Sequence, residues 1–166
     1  MSQNKIYRGP DSSRSIRNVV GRSKGSLRGS MIAMLSNFTR PRVIQFESML
    51  EYRFLCLMLV RDDLVDIVEQ PPALAYQKQD GTRAHHTFDF LLRMADGERI
   101  AVAIKPAERV ISRDFVTDLR HVAAAMPKHF AHRIKLVTDE HMDKRAAADA
   151  ARQLMRTRPA LTEVAA

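Results

Sequence analysis

Two Asp-Gly pairs constrain this chain more than any other feature. Asp80-Gly81 separates "ALAYQKQ" (73–79) from "RAHHTFDFLLRM" (83–94), and Asp96-Gly97 separates that run from "RIAVAIKP" (99–106). Asp-Gly between alternating apolar runs is the strongest short-range hairpin signal, because a tight hairpin turn needs residues that accept positive φ. The two turns therefore predict an antiparallel three-strand meander. Side chains alternate faces along a strand. Asp89, between Phe88 and Phe90, is expected opposite both rings. Ala101, Ala103 and Lys105 are expected on one face of the last strand, with Val102 and Ile104 on the other.

The flanking elements follow from period and punctuation. Phe46, Leu50, Phe54, Leu57 and Met58 recur at spacings of three and four, the mark of a helix with one buried face, ended by "RDD". "LVDIVEQPP" reads as a short strand or extended link closed by Pro71 and Pro72. Ser112 is a candidate N-cap for a second helix running to about Met126, with Phe115, Leu119, Val122 and Ala123 inward and Pro127 as its stop. "RIKLVT" (133–138) predicts a strand parallel to a neighbour after that helical crossover. Thr138 or Asp139 is expected to cap an Ala-rich helix over 140–156, ended by Pro159. The expectation is one α/β domain over 43–158, with a central mixed sheet flanked by helices, behind a basic, largely flexible arm (1–42) and before a short tail (159–166).

Charge is distributed unevenly. Residues 1–45 hold nine Lys/Arg (Lys5, Arg8, Arg14, Arg17, Arg22, Lys24, Arg28, Arg40 and Arg42) against one acid, while the remaining residues hold 18 of each sign. The whole excess of +8 is thus N-terminal, and it points to a polyanion, most simply DNA. Arg14, Arg17, Arg22, Lys24, Arg28, Arg40 and Arg42 are the expected phosphate contacts. The bland alternative is a solubilising tail. No run reaches the ~20 apolar residues of a membrane span, and the polar N-terminus carries no secretion signal. The single cysteine, Cys56, lies in an apolar stretch and reads as core. A cytoplasmic location, associated with the nucleoid of a bacterium or phage-infected cell, is the expectation.

Asp89 and Lys105 are brought to neighbouring strands by the "ADG" turn. One reading is an ordinary cross-strand ion pair. The other is half of a phosphodiester-cleaving site. Hard divalent cations take carboxylate oxygens, and a nearby lysine offsets developing charge. Glu51 likewise reads either as a solvated helix glutamate or as a site carboxylate. Glu47, four residues before it, is a like-charge neighbour that calls for a positive group nearby. Adjacent His85 and His86 point to opposite strand faces and cannot share a metal. His121, His129 and His132 lack the cysteine partners of a structural zinc site, and there is no Gly-rich phosphate loop.

The segments "FESMLEYRFL", "VEQPP", "TFDFLL", "VAIKPAE" and "KLVTDE", in this order over Phe46–Glu140, resemble the N-terminal catalytic domain of the TnsA transposon endonucleases. These belong to the PD-(D/E)XK, restriction-endonuclease-like superfamily. The resemblance implies that fold, metal-dependent DNA endonuclease activity with Mg²⁺ or Mn²⁺, and work beside a transposase-like or phage protein partner, with a homodimer also in keeping. It implies Glu51, Asp89 and Lys105 as catalytic residues, with metal held by Asp89, Glu51 and the Ile104 carbonyl. Gln70 either lines the site or bonds backbone at the strand end. The departure is Ala103, where the family pattern has Glu or Gln. That leaves three outcomes: a weakened metal site, rescue by another carboxylate such as Glu69 or Glu108, or an inactive nuclease fold that serves as a DNA-binding or assembly factor. At 166 residues the chain is also short of the C-terminal partner-binding domain of longer family members.

Overall fold

The computed structural model describes residues 6–16, 27–157 and 163–164. Of the expected phosphate contacts, Arg17, Arg22 and Lys24 lie outside the described residues, as do Pro159 and most of the tail. The elements run β1 (Ile6–Tyr7), β2 (Gly29–Ala33), β3 (Arg42–Phe46), α1 (Met49–Leu59), β4 (Leu64–Glu69), β5 (Leu74–Gln77), β6 (Arg83–His86), β7 (Phe90–Met94), β8 (Arg99–Ile104), α2 (Ala107–Ser112), α3 (Phe115–Ala125), β9 (Arg133–Val137), a 3-10 turn (Asp139–His141), α4 (Lys144–Arg156) and β10 (Glu163–Val164).

The fold is mixed α/β. A four-stranded sheet has the order β4-β7-β8-β9. β4, β7 and β8 pair antiparallel, and β9 runs parallel to β8 after the helical crossover, as its position in the chain requires. The alternation expected in β8 holds and divides the apolar residues into two layers. Ile100, Val102 and Ile104 join Phe54, Leu55, Leu59 and Phe90 in a cluster under α1, while Ala101 and Ala103 join Phe88, Leu119 and Val122 in a second cluster under α3. Cys56 is a buried free thiol, as its apolar setting predicts.

Four expectations are corrected. The meander is not one sheet. β5 and β6 pair only with each other, whereas β7 and β8 belong to the four-stranded sheet. The run 83–94 breaks over Thr87–Asp89, and the break resets the alternation. Phe88 and Phe90, expected on one face, therefore lie in different clusters. Second, Ser112 ends α2 rather than capping the next helix. α3 starts at Phe115 behind Asp114, which adopts a left-handed φ of 45°. Ala123 is exposed, so only Leu119 and Val122 of that helix are fully buried. Third, Thr138 caps the 3-10 turn, and Asp143 caps α4 by accepting the Ala146 N–H.

The fourth concerns the boundary after residue 42, which falls inside β3. β2 and β3 form a hairpin from Gly29↔Phe46 to Ala33↔Arg42. Ala33, Leu35 and Phe38 are core residues, and Asp11 bridges β3 through bonds with Pro41 and Val43. Much of the basic segment is therefore folded onto the domain. Arg42 is 3% exposed, stacked on Phe38 with 4.0 Å to the ring centroid, and faces Asp66 at 3.6 Å and Glu69 at 3.9 Å. Its guanidinium serves inward and is not available to DNA phosphates. Arg14 pairs with Asp66 at 3.2 Å and Arg40 with Asp11 at 2.9 Å, both on partly exposed surface.

Candidate functional site

Three separate segments deliver the site. At the start of α1, Ser48 caps the helix by accepting the Glu51 N–H at 3.1 Å, and its hydroxyl donates back to Glu51 Oε1 at 3.0 Å. The Glu47 amide donates to Glu51 Oε2 at 2.7 Å. This is a capping-box arrangement shifted by one residue. It holds the Glu51 carboxylate back over the helix N-terminus, where it is 6% exposed.

Asp89 sits in the strand break, 8% exposed. Its amide donates to Val102 O at 2.9 Å, and its carbonyl accepts the Gln70 N–H at 3.0 Å, so the backbone stays clamped between β4 and β8. Its Oδ2 accepts the Ile104 N–H at 2.6 Å and lies 3.7 Å from Lys105 Nζ. Ile104, expected to serve through its carbonyl, thus engages Asp89 through its amide. Lys105 follows β8 directly and is partly exposed; its ammonium also lies 5.9 Å from the Phe115 ring centroid. Gln70 is buried with φ 44°, a left-handed conformation that is uncommon for a side chain this long.

The electrostatics are lopsided. Burial first, then the Asp89 charge, raises the Glu51 carboxyl to about 7. Burial also raises Asp89, with Glu47 adding to the effect and Lys105 and the Ile104 amide opposing it. Two buried carboxylates and Glu47 thus act on one another, and Lys105 answers Asp89 alone. An oxygen-seeking divalent cation is the chemistry such a donor pair fits, and Glu51 and Asp89 are the residues that could hold one. Among the described residues no three His, Cys, Asp or Glu side chains are gathered as a metal cage, so most of the coordination would fall to water and substrate, the common pattern for Mg²⁺.

The remaining expectations divide. Ala103 is 1% exposed and packed in the apolar cluster under α3. Glu69 is fully buried but engaged elsewhere, by Arg42, the Arg14 amide and the Ser13 hydroxyl, so it does not stand in for position 103. Glu108 is on the exposed surface of α2. The sequence reading missed the pairing of Arg28 with Glu47, Nη2 to Oε1 at 3.8 Å. The unfavourable Glu47–Glu51 spacing was the signal that a cation belonged there. Compared with known proteins, the chain matches no family model and no curated relative.

Proposed function

We propose that this chain is a DNA-binding protein of the restriction-endonuclease-like fold, similar to the TnsA endonucleases, with a phosphodiester-hydrolysing site at Glu51, Asp89 and Lys105. The observation that carries this reading is the convergence of those three residues, from α1, the Thr87–Asp89 break and the end of β8, on one corner of the sheet. A chance ion pair between Asp89 and Lys105 accounts for neither the burial of a second carboxylate beside them nor its capture by two hydrogen bonds, from the Glu47 amide and the Ser48 hydroxyl.

A bound Mg²⁺ or Mn²⁺ would supply a water of lowered pKa and neutralise charge on the phosphate. Glu51 and Asp89 would hold it. The Ile104 amide fixes the Asp89 carboxylate in place, and Gln70 fixes its backbone. Lys105 keeps its ammonium against Asp89 and partly exposed, where it can meet the substrate phosphate or orient the attacking water. The TnsA-like reading also brings a transposase-like or phage protein partner, a homodimer, and a cytoplasmic, DNA-associated location. No helix among the described residues is long and apolar enough to cross a membrane.

One observation favours a second reading, a non-catalytic DNA-binding or assembly factor on the same fold. Ala103 has no oxygen to offer, and its surroundings are apolar. A plasmid-nicking assay in Mg²⁺ and in Mn²⁺ decides between the two. Metal-dependent nicking lost in Asp89→Ala and in Lys105→Ala is the expected result. Intact DNA binding without nicking by the wild type would establish the second reading. Ala103→Glu is not a restoring substitution here. It places a carboxylate among Phe88, Leu119 and Val122, and a loss of about 3 kcal/mol or more in urea unfolding is expected.

A further inference from the structure

Arg28 is presented to the acidic corner by strand register. The β2–β3 ladder ends at Gly29↔Phe46, so the next facing positions are Arg28 and Glu47, and their side chains meet at 3.8 Å. Gly29 is what permits this. A Cβ there would stand 2.6 Å from the Phe46 ring, closer than carbon atoms can pack. Phe46 is itself fixed in the core and against Tyr52, ring centroids 5.2 Å apart. The next residues, Glu47 and Ser48, are those that hold the Glu51 carboxylate. The hairpin therefore sets a guanidinium at the mouth of the site, on the α1 side, while Lys105 stands on the β8 side against Asp89. The Arg28 side chain is 31% exposed, so it keeps access to solvent while anchored.

We propose that Arg28 is a substrate-contacting residue of this site and binds a phosphate of the DNA strand lying across Glu51 and Asp89. The inference rests on the DNA-binding reading above and refines it, because Arg28 acts at the reacting corner and not as one charge of a diffuse arm. A guanidinium suits that place. Its planar fork can engage Glu47 and a phosphate oxygen together, which a lysine ammonium matches less well. Glu47 then has two duties: it holds Arg28 at this corner in competition with the phosphate and, through its amide, holds Glu51.

The test is duplex-DNA affinity as a function of salt in EDTA, where no cleavage occurs, for wild type, Arg28→Gln, Arg28→Lys, Glu47→Gln and the double variant. Loss of one phosphate contact should lower the slope of log affinity against log salt by about 0.9. Arg28→Gln is expected to show that drop, and Arg28→Lys to keep most of the slope. Glu47→Gln should tighten binding by releasing Arg28, and should have no such effect when Arg28 is already Gln. Unchanged affinity and slope in Arg28→Gln would reduce the Arg28–Glu47 pair to a structural contact and overturn the proposal. So would tightening by Glu47→Gln that persists without Arg28, or a wild type that does not bind duplex at all. The nicking assay is read separately. A slope change in Arg28→Gln with no nicking by wild type upholds Arg28 and sinks only the nuclease.

Discussion

Among the described residues, ionisable groups are buried in two places, and they are built on opposite principles. Around Arg42, two acids, Asp66 and Glu69, surround one guanidinium that is further held by Phe38 and by a bond to the Ile67 carbonyl. The N-terminal segment closes over it through Ser13 and Arg14. Around Glu51 and Asp89, two carboxylates are packed while Lys105, against Asp89, and Arg28, against Glu47, stay partly exposed. The first cluster is sealed and its charges answer one another. The second is open on its cationic side and carries carboxylates whose protons are held too tightly. Burial of unlike charges ties chain segments together, whereas burial of like charges costs stability and persists where something outside the chain completes it.

The sharpest way to break that comparison is to remove the centre of the sealed cluster. Arg42→Ala leaves Glu69 fully buried without its cation, and a loss of about 3–5 kcal/mol is expected in urea unfolding. Replacing both partners with apolar residues, Arg42→Met with Glu69→Leu, should recover most of that loss, since the buried pair itself contributes little net stability. If the double variant is as unstable as the single one, Glu69 is doing more than answering Arg42. Its place next to Gln70, whose amide holds Asp89, would be the first to examine.

The open cluster should reveal itself through pH. Glu51 has an ordinary value of 4.5 and is raised to about 7 in the fold. The folded state therefore holds this proton more tightly than the unfolded chain does. The stability it confers is fully present below 4.5 and is lost as pH rises to about 7, a fall on the order of 3 kcal/mol at ~1.4 kcal/mol per unit. Glu51→Gln should flatten that part of the stability profile. Saturating Mn²⁺ should restore stability to wild type above pH 7 by binding the native state alone, and Asp89→Asn should abolish the effect. A profile that is level between pH 4.5 and 7 in wild type would mean that Glu51 is not held as described.

The two regions also differed in how far the sequence revealed them. Asp89 and Lys105 were legible because local chemistry places them: an Asp-Gly turn makes their strands neighbours, and alternation assigns β8 its faces. Glu51 was legible through the helical period around it and the resemblance carried by "FESMLEYRFL", whereas the Ser48 cap that holds it was not read. What lay on each face was not. The burial of Ala103 depends on where α3 packs, and that depends on the left-handed Asp114 behind Phe115. Arg42 read as one more charge of a basic arm, since nothing within a few residues of it announces Asp66 or Glu69. The pairing of Arg28 with Glu47 is set by hairpin register across 18 intervening residues, with only the glycine at 29 as a local trace.

The smallest expected effect separates capping from charge at the open cluster. Ser48 serves α1 in two ways: it accepts the Glu51 amide as N-cap and donates its hydroxyl to the Glu51 carboxylate. Ser48→Ala should cost about 1 kcal/mol, the usual loss for a cap of this kind. Were capping all that Ser48 did, the cost would be the same at every pH. The hydroxyl, however, favours the ionised carboxylate and pulls Glu51 downward against burial. Its removal should push the Glu51 midpoint above 7, read from its carboxyl carbon resonance, and the stability lost should be larger at pH 8 than at pH 4. Ser48→Asp keeps an N-cap acceptor but sets a third acid beside Glu47 and Glu51. It should recover capping at pH 4 and fail at pH 8, so that the pH dependence, not the size of the change, shows which of the two bonds matters to the site.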